Sequence, residues 1–120
     1  MLTTQAVLEA LRKLVEGKND PKFAPLLAVL KHGCPCGPHS RWLHPLPEGA
    51  VAGPQQVACE KMGWTLMWGR RGTYWWAAVL DPDCDRLGYV RDPNLDIATT
   101  EAVAQAVQSF REPGKMQVEA

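Results

Sequence analysis

Residues 64–80 read WTLMWGRRGTYWWAAVL, and this stretch decides the fold. Two apolar and aromatic runs flank a short polar segment that contains a glycine, a pattern typical of a β-hairpin. We interpret residues 70–72, RRG, as a three-residue connection whose glycine takes the left-handed position. The expected cross-strand pairs are Trp68 with Tyr74, Met67 with Trp75 and Leu66 with Trp76.

Side chains in this hairpin alternate between the two faces of the sheet. Trp64, Leu66 and Trp68 therefore share one face of the first strand, whereas the adjacent Trp75 and Trp76 point to opposite faces. Both faces of the sheet are predicted to be aromatic. Either helices cover both faces, or one face is left open and is buried against a partner protein, or an open face stacks a small molecule or nucleic-acid bases.

Helical periodicity is present on both sides of the hairpin. The first helix begins at Thr3 or Thr4, and a second runs from about residue 25 to residue 32, which together predict a helical hairpin. A short helix is expected to begin at Pro54, since proline is favoured in the first turn. Thr99 is expected to cap a C-terminal helix.

A third strand, RLGYV at residues 86–90, follows the turn DPDCD and completes the sheet. We therefore predict an α+β fold, a three-stranded antiparallel meander with an N-terminal helical hairpin and a C-terminal helix. A chain of 120 residues fits one domain. Residues 1–112 are expected to form this single α+β domain, and residues 113–120 a flexible C-terminal tail.

Charge and composition narrow the function classes. Thirteen basic and thirteen acidic residues cancel, which argues against nucleic acid as a partner, because binding phosphate needs a basic surface. Four arginines are candidates for a local patch, although such residues near a hairpin tip are more commonly solvated: Arg70, Arg71, Arg86 and Arg91. The sequence contains neither an apolar run of about 18 residues nor an export signal, so we expect no membrane partner and a cytoplasmic location.

A cysteine- and histidine-rich stretch, HGCPCGPHSRWLH, occupies residues 32–44. Zinc takes four thiolate or imidazole ligands, and this stretch offers such a set: Cys34, Cys36, His39 and His44. Cys59 could replace one of these four ligands. The one-residue spacing of the cysteines departs from the usual zinc motifs, and unliganded thiols with solvated histidines are the simpler interpretation. The size of the domain requires no cofactor, so zinc is an alternative rather than a necessity.

We interpret the chain as a small non-enzymatic protein-interaction module that binds another protein or itself, as a homodimer, through the aromatic hairpin. The candidate partner-binding residues are Trp64, Trp68, Tyr74, Trp75 and Trp76. A zinc-stabilised domain is the first alternative. The second is an enzyme with a cleft between the 33–53 loop and the sheet, but no recognised catalytic motif supports it and no catalytic residue is assigned.

Overall fold

The computed structural model describes residues 3–32 and 49–110. The predicted α+β class is confirmed: in the chain, helices come both before and after the strands of an antiparallel three-stranded sheet. The elements in chain order are α1 (Thr4–Lys18), a 3₁₀ turn (Pro21–Phe23), α2 (Ala24–His32), α3 (Ala52–Lys61), β1 (Thr65–Arg71), β2 (Tyr74–Leu80), β3 (Arg86–Asp92) and α4 (Leu95–Ser109). None of the helices in these two ranges is both long and apolar enough to cross a bilayer. The predicted tail, residues 113–120, lies outside the described residues.

The hairpin turn is shorter than predicted, and the predicted register is wrong. Arg71 pairs with Tyr74, so the connection consists of residues 72 and 73 alone. Gly72 has a φ of 62°, as the first position of a two-residue type II′ turn requires. Trp68 therefore lies opposite Ala77 rather than Tyr74.

This shift of three positions changes which residues share a face. An odd shift moves every side chain of one strand to the opposite side relative to its neighbour. Trp68 shares its face with Trp75, and Met67 shares the other with Trp76. The two arginines continue the strand because each stays in the ladder: Arg70 opposite Trp75, and Arg71 opposite Tyr74.

One face of the sheet, which we call the inner face, packs against helices α4 and α3. Its aliphatic side chains are fully buried: Leu66, Ala77 and Val79. The closest approach is at Gly88 on β3, where a Cβ atom would lie 2.3 Å from the carbonyl oxygen of Ala102 on α4. Helices α1 and α2 form a further layer that packs on α4 and α3. The described helices thus lie on one side of the sheet.

Helix α4 begins earlier than predicted. Asn94 is the capping residue, and its side-chain oxygen accepts a hydrogen bond from the backbone N–H of Ile97 at 3.1 Å. Thr99 instead lies inside the helix, where its hydroxyl donates to the carbonyl oxygens of Leu95 and Asp96. Both residues are suited to capping, and the earlier cap adds a turn of buried residues, three of them apolar, to the helix. Helix α3 likewise begins at Ala52, two residues before Pro54.

The aromatic part of the core joins the two ends of the domain. Trp64, which precedes β1, packs on Phe23 with ring centroids 5.8 Å apart, and both rings contact Phe110 after α4. Lys22 lies over the rings of Trp64 and Phe110, and its ammonium group donates to the carbonyl oxygen of Met62 at 2.8 Å. Trp64 thereby holds the N-terminal helices against the sheet.

Candidate interaction surface

The outer face of the sheet, opposite α4, is the candidate site. Alternation along the paired strands assigns its members. They are Thr65, Met67, Gly69 and Arg71 on β1, Tyr74, Trp76, Ala78 and Leu80 on β2, and Arg86, Tyr89 and Arg91 on β3. Within residues 3–32 and 49–110 no helix packs on this face as α4 and α3 do on the inner one.

Aromatic side chains cover the middle of the outer face. Trp76 lies across Gly69 of the neighbouring strand, whose missing side chain leaves room for the indole: a Cβ there would be 2.7 Å from the ring. Tyr74 and Trp76 are half-buried, whereas Met67 and Tyr89 are 40% and 38% exposed. Neighbouring accessible apolar and aromatic side chains of this kind are a feature of binding surfaces.

Two arginines of this face stack on its tyrosines. The guanidinium carbon of Arg86 lies 5.1 Å from the ring centroid of Tyr89, and that of Arg91 lies 5.6 Å from the ring of Tyr74. A hydrogen bond to Tyr74 raises the pKa of Arg91 above its ordinary value, with a smaller contribution from Tyr89. The stacked guanidinium groups are held in place while they remain at the surface.

Arg71 completes a groove on the outer face. This groove has a volume of about 580 Å³, and Arg71, Tyr74, Trp76, Tyr89 and Arg91 line it. The floor of the groove is aromatic, and Arg71 and Arg91 are cationic hydrogen-bond donors. The groove is therefore suited to a flat or extended group that carries negative charge.

The five residues predicted to bind a partner do not form one surface. Tyr74 and Trp76 lie on the outer face, as the alternation of adjacent Trp75 and Trp76 requires. Trp68 and Trp75 lie on the inner side and pack against the core. Trp64 is only 3% exposed, so contact with a partner would need the core to open.

Other residues of this face were not among the predicted binding residues. Met67 and Tyr89 are accessible, and Arg71, Arg86 and Arg91 had been interpreted as solvated. Gly88 was the available signal, because a glycine inside a strand commonly marks the close approach of another backbone. It identifies the helix-covered side of β3 and therefore places its neighbour Tyr89 on the open side.

The residues of the predicted zinc site lie outside the described residues: Cys34, Cys36, His39 and His44. The suggested replacement, Cys59, is fully buried on α3, and burial raises the pKa of its thiol from 9.0 to about 12. Across the two described ranges no three histidine, cysteine or acidic residues are grouped to hold a metal ion. Zinc binding by the 33–53 loop stays a prediction.

The two cysteines within the described ranges should differ sharply in reactivity. Cys84 is exposed in the β2–β3 turn, whereas Cys59 is buried as a neutral thiol. Because the thiolate is the nucleophile, iodoacetamide at pH 8.5 should modify Cys84 at least about 100-fold faster than Cys59. Peptide-resolved mass spectrometry measures both rates. Equal rates in urea are the control, and equal rates in the native protein would contradict the burial of Cys59.

The burial of Cys59 also has a pH consequence with a defined sign. Its folded pKa lies above the unfolded value, so the unfolded chain releases the thiol proton first. The contribution of the protonated Cys59 thiol to the free energy of unfolding is complete below pH 9.0, and it is lost as the pH rises toward about 12.

Neither of two other grooves offers the chemistry of a catalytic site. One, about 570 Å³ in volume, lies between α1 and α2, and its two acidic residues already have partners: Glu16 pairs with Arg12 and Lys31, and Asp20 caps the 3₁₀ turn. The other, about 220 Å³, lies between α1 and α4 and contains Glu101, whose pKa is raised by burial and then by Asp92. A lone carboxyl in an apolar groove lacks the second group that acid–base catalysis needs.

Comparison with known proteins gives no relative from which to transfer a function. No protein-family model, curated protein or solved structure matches the chain. The outer face itself is therefore the basis for inferring the function.

Proposed function

We propose that the chain is a small non-enzymatic interaction module that binds a protein through the outer face. The single observation that carries this proposal is the open apolar and aromatic surface of Met67, Tyr74, Trp76 and Tyr89 on a sheet whose other side is covered. Tryptophan, tyrosine and arginine are the residues that most often dominate binding energy at protein interfaces. A rigid sheet also presents them with little loss of conformational entropy on binding.

Replacement of Trp76 by alanine should weaken partner binding by about 10- to 100-fold, the range typical of a central aromatic residue. The partner is first captured with a photo-crosslinking amino acid at position 67 and is identified by mass spectrometry. Position 57 is the matched control, because Val57 is an apolar residue that is 50% exposed, but on helix α3. Titration of the purified partner against each variant then gives the affinities.

The purified partner should bind the Val57→Ala variant within about twofold of the unmodified chain. Met67→Glu provides a second test, because residue 67 is exposed and its replacement leaves the core intact. Equal binding to all variants would refute the proposal, as would the same adducts from positions 67 and 57. Sedimentation equilibrium identifies the case in which the partner is a second copy.

Two further assignments accompany this proposal. We place the module in the cytoplasm, because the free thiols of Cys59 and Cys84 favour a reducing compartment. Zinc binding by Cys34, Cys36, His39 and His44 is the alternative, and metal analysis of protein purified without chelator tests it. An enzyme with a cleft between the 33–53 loop and the sheet is the second alternative, and it would require a catalytic pair in that cleft.

A further inference from the structure

The outer face carries charge of one sign. Its charged residues are Arg71, Arg86 and Arg91, and none of its members is acidic. Some acidic residues next to it in sequence belong to the β2–β3 turn, where the Asp81 carboxylate accepts hydrogen bonds from the backbone of Asp83 and Asp85. Asp92 ends β3 opposite Trp75, on the inner side, and its carboxylate accepts from the backbone N–H of Asn94 at 2.8 Å. A chain of zero net charge thus presents a local cationic surface.

The edges of the sheet are blocked at one position each by side chains. On β1 the carbonyl oxygen of Leu66 accepts from the side-chain amide of Gln56 at 3.0 Å. On β3 the backbone N–H of Tyr89 donates to the side-chain oxygen of Gln105 at 2.9 Å. Addition of a partner strand to an edge would have to break these bonds. Recognition by side chains of the outer face breaks none of these bonds.

We propose that the partner contributes an acidic, extended segment that lies across the outer face, with its carboxylates at Arg71 and Arg91 and its apolar groups on Trp76. This inference depends on the proposed function and adds the chemistry of the partner. Arg91 is exposed beside Tyr74, and a guanidinium group donates two parallel hydrogen bonds to a carboxylate. Arg86, held over Tyr89, extends the same line of charge.

Charge also decides against a second copy as the occupant. A symmetric dimer places the same surface patch on both sides of the interface. Two outer faces would bring arginine against arginine with no acidic residue of the face between them, and like charges in contact weaken association.

Single-stranded nucleic acid is the competing ligand, because bases stack on aromatic residues of sheets and phosphates attract arginine. Two observations favour the acidic protein segment. The chain as a whole has no net positive charge to attract a polyanion over distance. The groove of about 580 Å³ also has only two arginines in its wall, too few to follow a phosphate backbone.

The experiment uses the full chain and three labelled probes: a 12-residue peptide of alternating glutamate and apolar residues, its glutamine counterpart, and a ten-nucleotide oligouridylate. Fluorescence anisotropy should show that the glutamate peptide binds about tenfold more tightly than the glutamine peptide at about 50 mM salt. This advantage should fall about threefold or more at about 500 mM salt because exposed charges are screened.

Two double variants test which arginines produce the preference for the glutamate peptide. Arg71→Gln with Arg91→Gln should remove the advantage of the glutamate peptide, since both arginines line the groove. Arg70→Gln with Lys13→Gln removes the same charge elsewhere, since Arg70 stacks on Trp75 of the inner face and Lys13 is exposed on α1. This control should bind the glutamate peptide within about twofold of the unmodified chain.

Each outcome decides between the two proposals. If both peptides bind equally and Trp76→Ala weakens both, the outer face binds protein but the inference about charge is wrong. Tighter binding of the oligouridylate, with the same dependence on Arg71 and Arg91, would replace the acidic segment by nucleic acid. Absence of peptide binding at millimolar concentration would also overturn the inference. The crosslinking experiment would still test the proposed function.

Discussion

Replacement of Gly88 by alanine should lower the free energy of unfolding by about 3 kcal/mol or more, because the added Cβ has nowhere to go. It would lie 2.3 Å from the carbonyl oxygen and 3.2 Å from the carbonyl carbon of Ala102, and 3.1 Å from the Cβ of Gln105. Two of these atoms are backbone of α4, which cannot rotate aside as a side chain does. The helix must move away from β3, and the packing of the inner face is lost with it. Urea unfolding followed by tryptophan fluorescence measures the change.

Alanine substitutions at two other glycines should have different effects on stability and serve as comparisons for Gly88→Ala. Gly69→Ala would also meet a neighbour, but that neighbour is the ring of Trp76, an outer-face side chain that can shift at a cost of about 1 kcal/mol. Gly17→Ala on α1 meets nothing within 4 Å and should stabilise the helix by about 0.5–1 kcal/mol. Equal effects at Gly88 and Gly17 would show that α4 does not approach the sheet as described.

Replacement of Asp96 by alanine should cost about 3 kcal/mol, because it leaves two backbone donors, one of them buried, without their acceptor. One carboxylate oxygen of Asp96 accepts from the backbone N–H of Gly49 at 3.0 Å, and the other accepts from that of Val51 at 3.1 Å. Asp96 is buried in the first turn of α4, where the helix dipole favours a negative charge. It therefore ties the chain entering α3 to the start of α4.

The Asp96→Asn substitution keeps one of the two hydrogen bonds and removes the other. Its amide oxygen accepts from one N–H, but its amino group faces the other, so Asp96→Asn should cost about 2 kcal/mol. Asp83→Ala is the control, because this exposed carboxylate in the β2–β3 turn should change stability by less than about 0.5 kcal/mol. Thermal unfolding of the three variants at pH 7 orders them. An Asp96→Ala variant as stable as the control would show that Asp96 does not anchor residues 49–51.

The fold class was predictable from sequence because each of its signals is local. Alternation along residues 64–80 predicted the hairpin, and helical spacing predicted the helices around it. The register was not predictable in the same way, since Arg70 and Arg71 suit either a turn or a strand. Their place in the ladder depends on cross-strand contacts with Trp75 and Tyr74, which are made only once the strands have paired.

The candidate site was predictable only in part, for a related reason. Sequence predicted that both faces are aromatic, but the covered face is chosen by the approach of α4 to Gly88, a tertiary contact. Trp64 was assigned to binding because its residue type is common at interfaces, yet its place between Phe23 and Phe110 makes it part of the core. Arg86 and Arg91 gained significance only when the tyrosines beneath them were located.

Because the described helices pack on one face of the sheet, alternate residues of its strands are under different selective constraints. Substitutions at Leu66, Ala77 or Val79 act on stability, whereas those at Met67, Trp76 or Tyr89 act on a surface that the core does not need. The two properties can therefore change almost independently. A chain of this design can acquire a new partner by exchanging a few outer side chains while its folded scaffold stays the same.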